Sequence, residues 1–125
     1  MISAIAILLG VSLGVFVPID LPVGLQQYTA IGIAAALDSV FGGALAHMEN
    51  KFNNKMFYSG FFFNTLLAVI FTMLGDRLGV NLMFAAIVVF GTRIFNNLSR
   101  MRWIWLEGIE RRRRVKLMSV EREEE

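Results

Sequence analysis

The chain has 125 residues and a net charge of +2, and 56% of its residues are hydrophobic. Its mean hydropathy of +0.60 lies outside the range of a water-soluble domain of this length. It contains no cysteine, which excludes disulfide frameworks, thiolate metal sites, iron–sulfur clusters and cysteine nucleophiles.

A helix needs roughly 17 to 25 apolar residues to cross a hydrocarbon core of about 30 Å, and the sequence offers four such runs. The first extends from Met1 to about Val17 and ends at "PIDLP", where Pro18 and Pro22 break a helix. No basic residue precedes this run and no small-x-small cleavage site follows it, so it reads as a retained span rather than a secretory leader. The second run, from about Leu25 to Ala46, carries Asp38. The third, from about Met56 to Leu74, carries Asn64, and the fourth, from about Val80 to Leu98, carries Arg93, Asn96 and Asn97. Connections as short as "PIDLPVG", "HMENKFNNK" and "GDRLG" force neighbouring helices to lie antiparallel.

The predicted fold class is therefore an all-α membrane protein with four transmembrane helices, two antiparallel hairpins, over residues 1–98. A basic interfacial cytoplasmic helix over 99–118 and an acidic flexible tail over 119–125 complete it. Ten of the twelve Lys and Arg residues fall in the second connection and after the fourth run, which places both termini in the cytoplasm by the positive-inside rule.

A charged side chain at mid-bilayer costs about 2.5 to 3.5 kcal/mol on insertion scales, so Asp38 and Arg93 are expected to meet. Counted from the inner ends of their spans, Asp38 lies roughly 12 Å deep and Arg93 roughly 9 Å, with Asn64 near the same level. A second register is open as well. The frame Ala-x-x-x-Val-Phe-Gly recurs at Ala36 to Gly42 and Ala85 to Gly91; it hints at two similar hairpins and would set Arg93 about 9 Å deeper than Asp38. Arg93, Asn96, Asn97 and Arg100 form one polar stripe at helical spacing, expected to face protein. The candidate intramembrane cluster is thus Asp38, Asn64, Arg93, Asn96 and Asn97. Small residues suited to close helix approach are Gly10 and Gly14 on the first run, Gly42 and Gly43 on the second and Gly60 on the third.

Beyond the fourth run, Met101, Ile104, Trp105 and Ile109 share a face, with Trp103 beside it, and Arg111, Arg112, Arg113 and Arg114 follow. Indole rings favour the headgroup level and arginines attract anionic lipid, so this segment is expected to lie along the inner face as a continuation of the fourth span. No stacking aromatics interleave with the arginines, so nucleic acid is not an expected partner. His47 has no second His or Cys nearby, so no metal is expected, and nothing calls for a cofactor. No nucleophile with its base and no phosphate-cradling loop is present either, so no enzymatic activity is expected.

Four stretches, "AALDSVFGG" (35–43), "SGFFFNTLLA" (59–68), "LGV" (78–80) and "FGTRIFNNLS" (90–99), resemble the small basic protein family of bacterial integral membrane proteins, a domain of unknown function. The resemblance covers about residues 1 to 102. It implies a multi-pass protein of the bacterial cytoplasmic membrane in a cell-division or envelope setting. Family members often carry an arginine two residues after the paired glycines, where this chain has Leu45.

Two functions compete on this reading. The leading one is a non-catalytic docking or assembly component, with other membrane proteins or a second copy as partner. The alternative is a small dimeric four-helix transporter or channel that uses Asp38 as a proton or cation site.

Overall fold

A computed structural model describes residues 2–17 and 20–124, with side chains through Arg122. The expected helix-breaking role of Pro18 lies outside the described residues. The chain forms four helices in order: α1 (Ile2–Phe16), α2 (Val23–Met48), α3 (Asn54–Leu78) and α4 (Leu82–Glu124).

Three of them, α2, α3 and α4, are long and apolar enough to cross a membrane. With 15 residues, or about 22 Å, α1 is apolar but shorter than the expected first span. It begins beside the start of α3, where the hydroxyls of Ser3 and Tyr58 hydrogen-bond.

Local chemistry sets the boundaries. Pro22 caps α2, at a position where a missing N–H costs the helix nothing. The Asn53 side chain accepts from the backbone N–H of Lys55 at 2.9 Å and of Met56 at 3.3 Å, filling donors that the first turn of α3 leaves open. At the other end of α3, Gly79 takes the left-handed conformation (φ 67°) that closes many helix C-termini. The turn is tight enough that a Cβ on Gly75 would come within 2.5 Å of the Val80 carbonyl oxygen. Only glycine fits there.

α2 lies at the centre and packs against each of the other helices. Ile31 and Ala35 on α2, Ala68 on α3 and Phe90 on α4 form the buried core, with Met83, Ala86 and Ile87 packed around it. Alanines at these positions bring the backbones close, and close approach is the main source of helix adhesion where lipid is as apolar as the side chains. The hydroxyls of Ser39 and Thr72 bond back to the carbonyls of Ala35 and Ala68, so neither polar group is stranded.

The two ends of the bundle are tied differently. At one end Asp76 of α3 accepts from Gln27 Nε2 and from the Tyr28 hydroxyl of α2, both at 2.7 Å. At the other, Arg100 of α4 pairs with Glu49, which also lies 3.8 Å from Lys51.

α4 departs from expectation. Its 43 residues span about 65 Å; the helix continues the fourth run through the segment expected to lie along the inner face, and its backbone runs on to Glu124, through the expected flexible acidic tail over 119–125. It contains no proline to break it, and among the described residues those beyond Ile104 are all exposed. Glu, Arg, Lys, Leu and Met, which dominate the tail, are all good helix formers.

Candidate functional site: a closed charge cluster and an open helix face

Three helices converge on one carboxylate. Asp38 is 0% exposed; Arg93 Nε lies 3.3 Å from its Oδ1, and Asn64 Nδ2 donates to its Oδ2 at 3.2 Å. α2 supplies the acid, α4 the base and α3 the amide. The Nε contact is close enough for charge attraction, although Oδ1 accepts no well-aligned hydrogen bond. Charge neutralisation, more than hydrogen bonding, therefore offsets the burial of Asp38.

The pairing selects between the two registers. A Cβ on Gly42 would sit 3.7 Å from Asn97 Nδ2, and this contact has the same offset between α2 and α4 as the Asp38–Arg93 pair. The register implied by the Ala-x-x-x-Val-Phe-Gly frame, which would leave Arg93 deeper than Asp38, is not adopted.

The two adjacent amides of α4 part company. Asn97 is half-buried against Gly42, whereas Asn96 is exposed and does not join the cluster, contrary to expectation. Successive helical residues point about 100° apart, so neighbouring asparagines cannot both face the bundle. Arg93 sits between these directions: its Nε reaches Asp38, yet its side chain remains 51% exposed.

Of the glycines expected to pack helices, Gly43 does so most closely, since a Cβ there would meet the Phe57 ring at 2.9 Å. Gly10, Gly14 and Gly60, expected at helix contacts, approach no neighbouring helix within the chain, because a Cβ on any of them would meet nothing within 4 Å. Among the described residues α1 packs its backbone against α2 and bonds to α3 through Ser3, and it leaves its glycine face open. Gly60 instead lines a cavity of about 310 Å³ that borders the charge cluster, with Asp38, Ser39, Gly42, Asn64 and Arg93 also in its wall. Trp103, Trp105 and Arg111 to Arg114 are all exposed on the projecting part of α4. Arg114 lies 4.0 Å from Glu110 one turn back, a solvent-exposed pair of little energetic weight.

Sequence reasoning missed the Asp76 cluster, the Glu49–Arg100 tie and the requirement for Gly75. For the first two the signal was present, as acidic residues flanking the apolar runs. Gly75 carried none, because its need arises from the path of the chain five to seven residues later. Among the described residues no group of His, Asp and Glu could hold a metal ion.

Residues 21–106 match the family described as "Protein of unknown function (DUF1290)". The chain is 36% identical over 101 residues to the "Small basic protein" of Bacillus subtilis (strain 168), covering 81% of this chain and 84% of that one. It is 42% identical over 104 residues to uncharacterised proteins of Mycobacterium bovis and Mycobacterium tuberculosis, covering 82% of this chain and 86% of theirs. No solved structure matches it. The matched segment contains the Asp38, Asn64 and Arg93 cluster and ends where α4 leaves the bundle, and the chain belongs to the DUF1290 family of proteins of unknown function.

Proposed function

We propose that this protein is a non-catalytic membrane component that assembles with other membrane proteins. In this reading α2, α3 and α4 cross the bilayer, α1 inserts beside them as a shorter fourth apolar helix, and the end bearing Glu49, Lys51 and Arg100 faces the cytoplasm. The positive-inside bias supports that orientation. The projecting part of α4 then forms a basic arm in the cytoplasm. Arg111 lies eleven residues past Arg100, or about 16 Å, further from the hydrocarbon than the headgroup layer reaches. A protein surface suits this arm better than lipid does.

The single observation that carries the proposal is the contrast between a neutralised carboxylate inside the bundle and an open α4. Among the described residues the buried carboxylate is Asp38; it has no accessible surface and, although it borders a cavity, is already matched by a guanidinium and an amide. A transport site needs a carboxylate that a cation can reach and leave. The outward face of α4, by contrast, is exposed along its length. Neither the fold nor the relatives named above carry a cell-division assignment, so the proposed role does not include one.

The test is photo-crosslinking from Arg112 in native membranes, followed by mass spectrometry. The proposal expects a membrane protein to be captured, and the capture to be lost when Arg111, Arg113 and Arg114 are replaced by alanine with the crosslinker retained at position 112. Purified protein that moves protons or cations across vesicles and loses that flux on Asp38→Asn would favour the transporter.

A further inference from the structure

We infer that two copies of this chain pair in parallel along the outward faces of α4, forming a dimer seam that runs from the bilayer into the projecting arm. This goes beyond the assembly reading and is independent of whether a further protein docks.

The face is defined by what the bundle does not use. On α4 the half-buried or buried positions Ile87, Phe90, Ile94, Asn97, Met101 and Ile104 recur every three or four residues and point inward. Opposite them, Val89, Thr92, Asn96 and Ser99 are all exposed and repeat with alternating spacings of three and four residues, the heptad pattern of two-stranded coils. The same frame continues without a break into Trp103, Leu106, Leu117 and Val120, also exposed.

Two further observations favour a second copy as the occupant. A helix of some twenty residues beyond the bundle has only marginal stability alone in water, so the arm needs a partner of matching length and period. Two copies inserted in one membrane present identical, parallel α4 helices at identical depth. In a parallel pair the flanking positions of this frame meet across the seam, Arg102 with Glu107 of the other copy and Lys116 with Glu121. Opposite signs face each other at both levels, and no flanking pair in the frame brings like charges together.

Within the bilayer the seam residues are small or polar. Thr92 and Ser99 allow close approach, and Asn96 can hydrogen-bond its counterpart, the kind of contact that holds helices together in lipid. A single asparagine at a seam position also fixes register in coiled coils. Glu110 and Arg113 interrupt the apolar seam in the arm, but they lie one layer apart with opposite signs. That arrangement can bond diagonally across a parallel pair.

The chain has no cysteine of its own, so the test is disulfide crosslinking of single-cysteine variants of the full-length protein in membranes. Leu106→Cys and Leu117→Cys are expected to crosslink at least tenfold faster than Trp105→Cys and Arg112→Cys, which point off the seam. None of these residues packs in the bundle, so folding is not at stake. A charge-exchange arm completes the test: Arg102→Glu and Glu107→Lys should each slow crosslinking at Leu117→Cys several-fold when alone, and restore it when the two chains are mixed. A profile that is flat around the helix, a maximum at the off-seam positions, or a mixture no faster than the single variants overturns the proposal.

Discussion

Arg93 on α4 places its Nε 3.3 Å from Oδ1 of Asp38 on α2, a carboxylate with no accessible surface. The two helices are thereby joined at the level of the cluster and again at Glu49 and Arg100. Along α2 these two ties are eleven residues apart, about 16 Å, and along α4 seven residues, about 10 Å. Long arginine side chains make up the difference. The ties fix the rotation of α4, which decides that Asn97 faces Gly42 and that Asn96 faces outward.

Asn64 should contribute less than either charged partner. Asn64→Ala removes one hydrogen bond to Asp38 and is expected to destabilise the bundle by about 0.5–1.5 kcal/mol, the range found for polar contacts between membrane helices. Reversible unfolding in bicelles measures it.

Gly43→Ala forces the Phe57 ring to move, because the new Cβ would lie 2.9 Å from it. A loss of about 1–3 kcal/mol is expected from overpacking, and Phe57→Leu in the same chain should recover much of it. Gly10→Ala and Gly14→Ala serve as controls. With nothing within 4 Å of either site, both should be neutral or slightly stabilising, since alanine favours a helix over glycine by about 1 kcal/mol.

These glycines illustrate what the sequence makes legible. Long apolar runs announce α2, α3 and α4, and depth counted from the run ends brings Asp38 and Arg93 to one level. Small-residue spacing says that a helix can be approached, not that one approaches it, which is why Gly43 packs and Gly10 and Gly14 do not. Hydropathy could not choose between Asn96 and Asn97, because α4 carries large apolar residues on both faces, Ile94 beside one amide and Phe95 beside the other. The acidic end of the chain reads as a solvated tail by charge, yet its residues are strong helix formers and continue α4.

Gly75→Ala should be far more damaging than its exposed surroundings suggest. The added carbon would collide with backbone, the Val80 carbonyl oxygen at 2.5 Å, which no side-chain rotation relieves. The expected outcome is a loss of about 3 kcal/mol or more, at the upper end of single substitutions, read as reduced folded protein in membranes. Gly79→Asn should be milder, because asparagine tolerates the left-handed conformation.

Asp76→Ala removes the acceptor shared by Gln27 and Tyr28 and frees the α2–α3 contact at that end. An exposed site limits the loss to about 1 kcal/mol, and hydrogen exchange should quicken in the first turns of α2 while the Glu49 end is unchanged.

The most direct test is a double-mutant cycle on Asp38→Ala and Arg93→Ala, read by reversible unfolding in bicelles. If each charge exists chiefly to neutralise the other, the double variant loses about 1–3 kcal/mol less than the two single losses combined. Losses that simply add would mean that the two residues act independently, and would contradict the central claim.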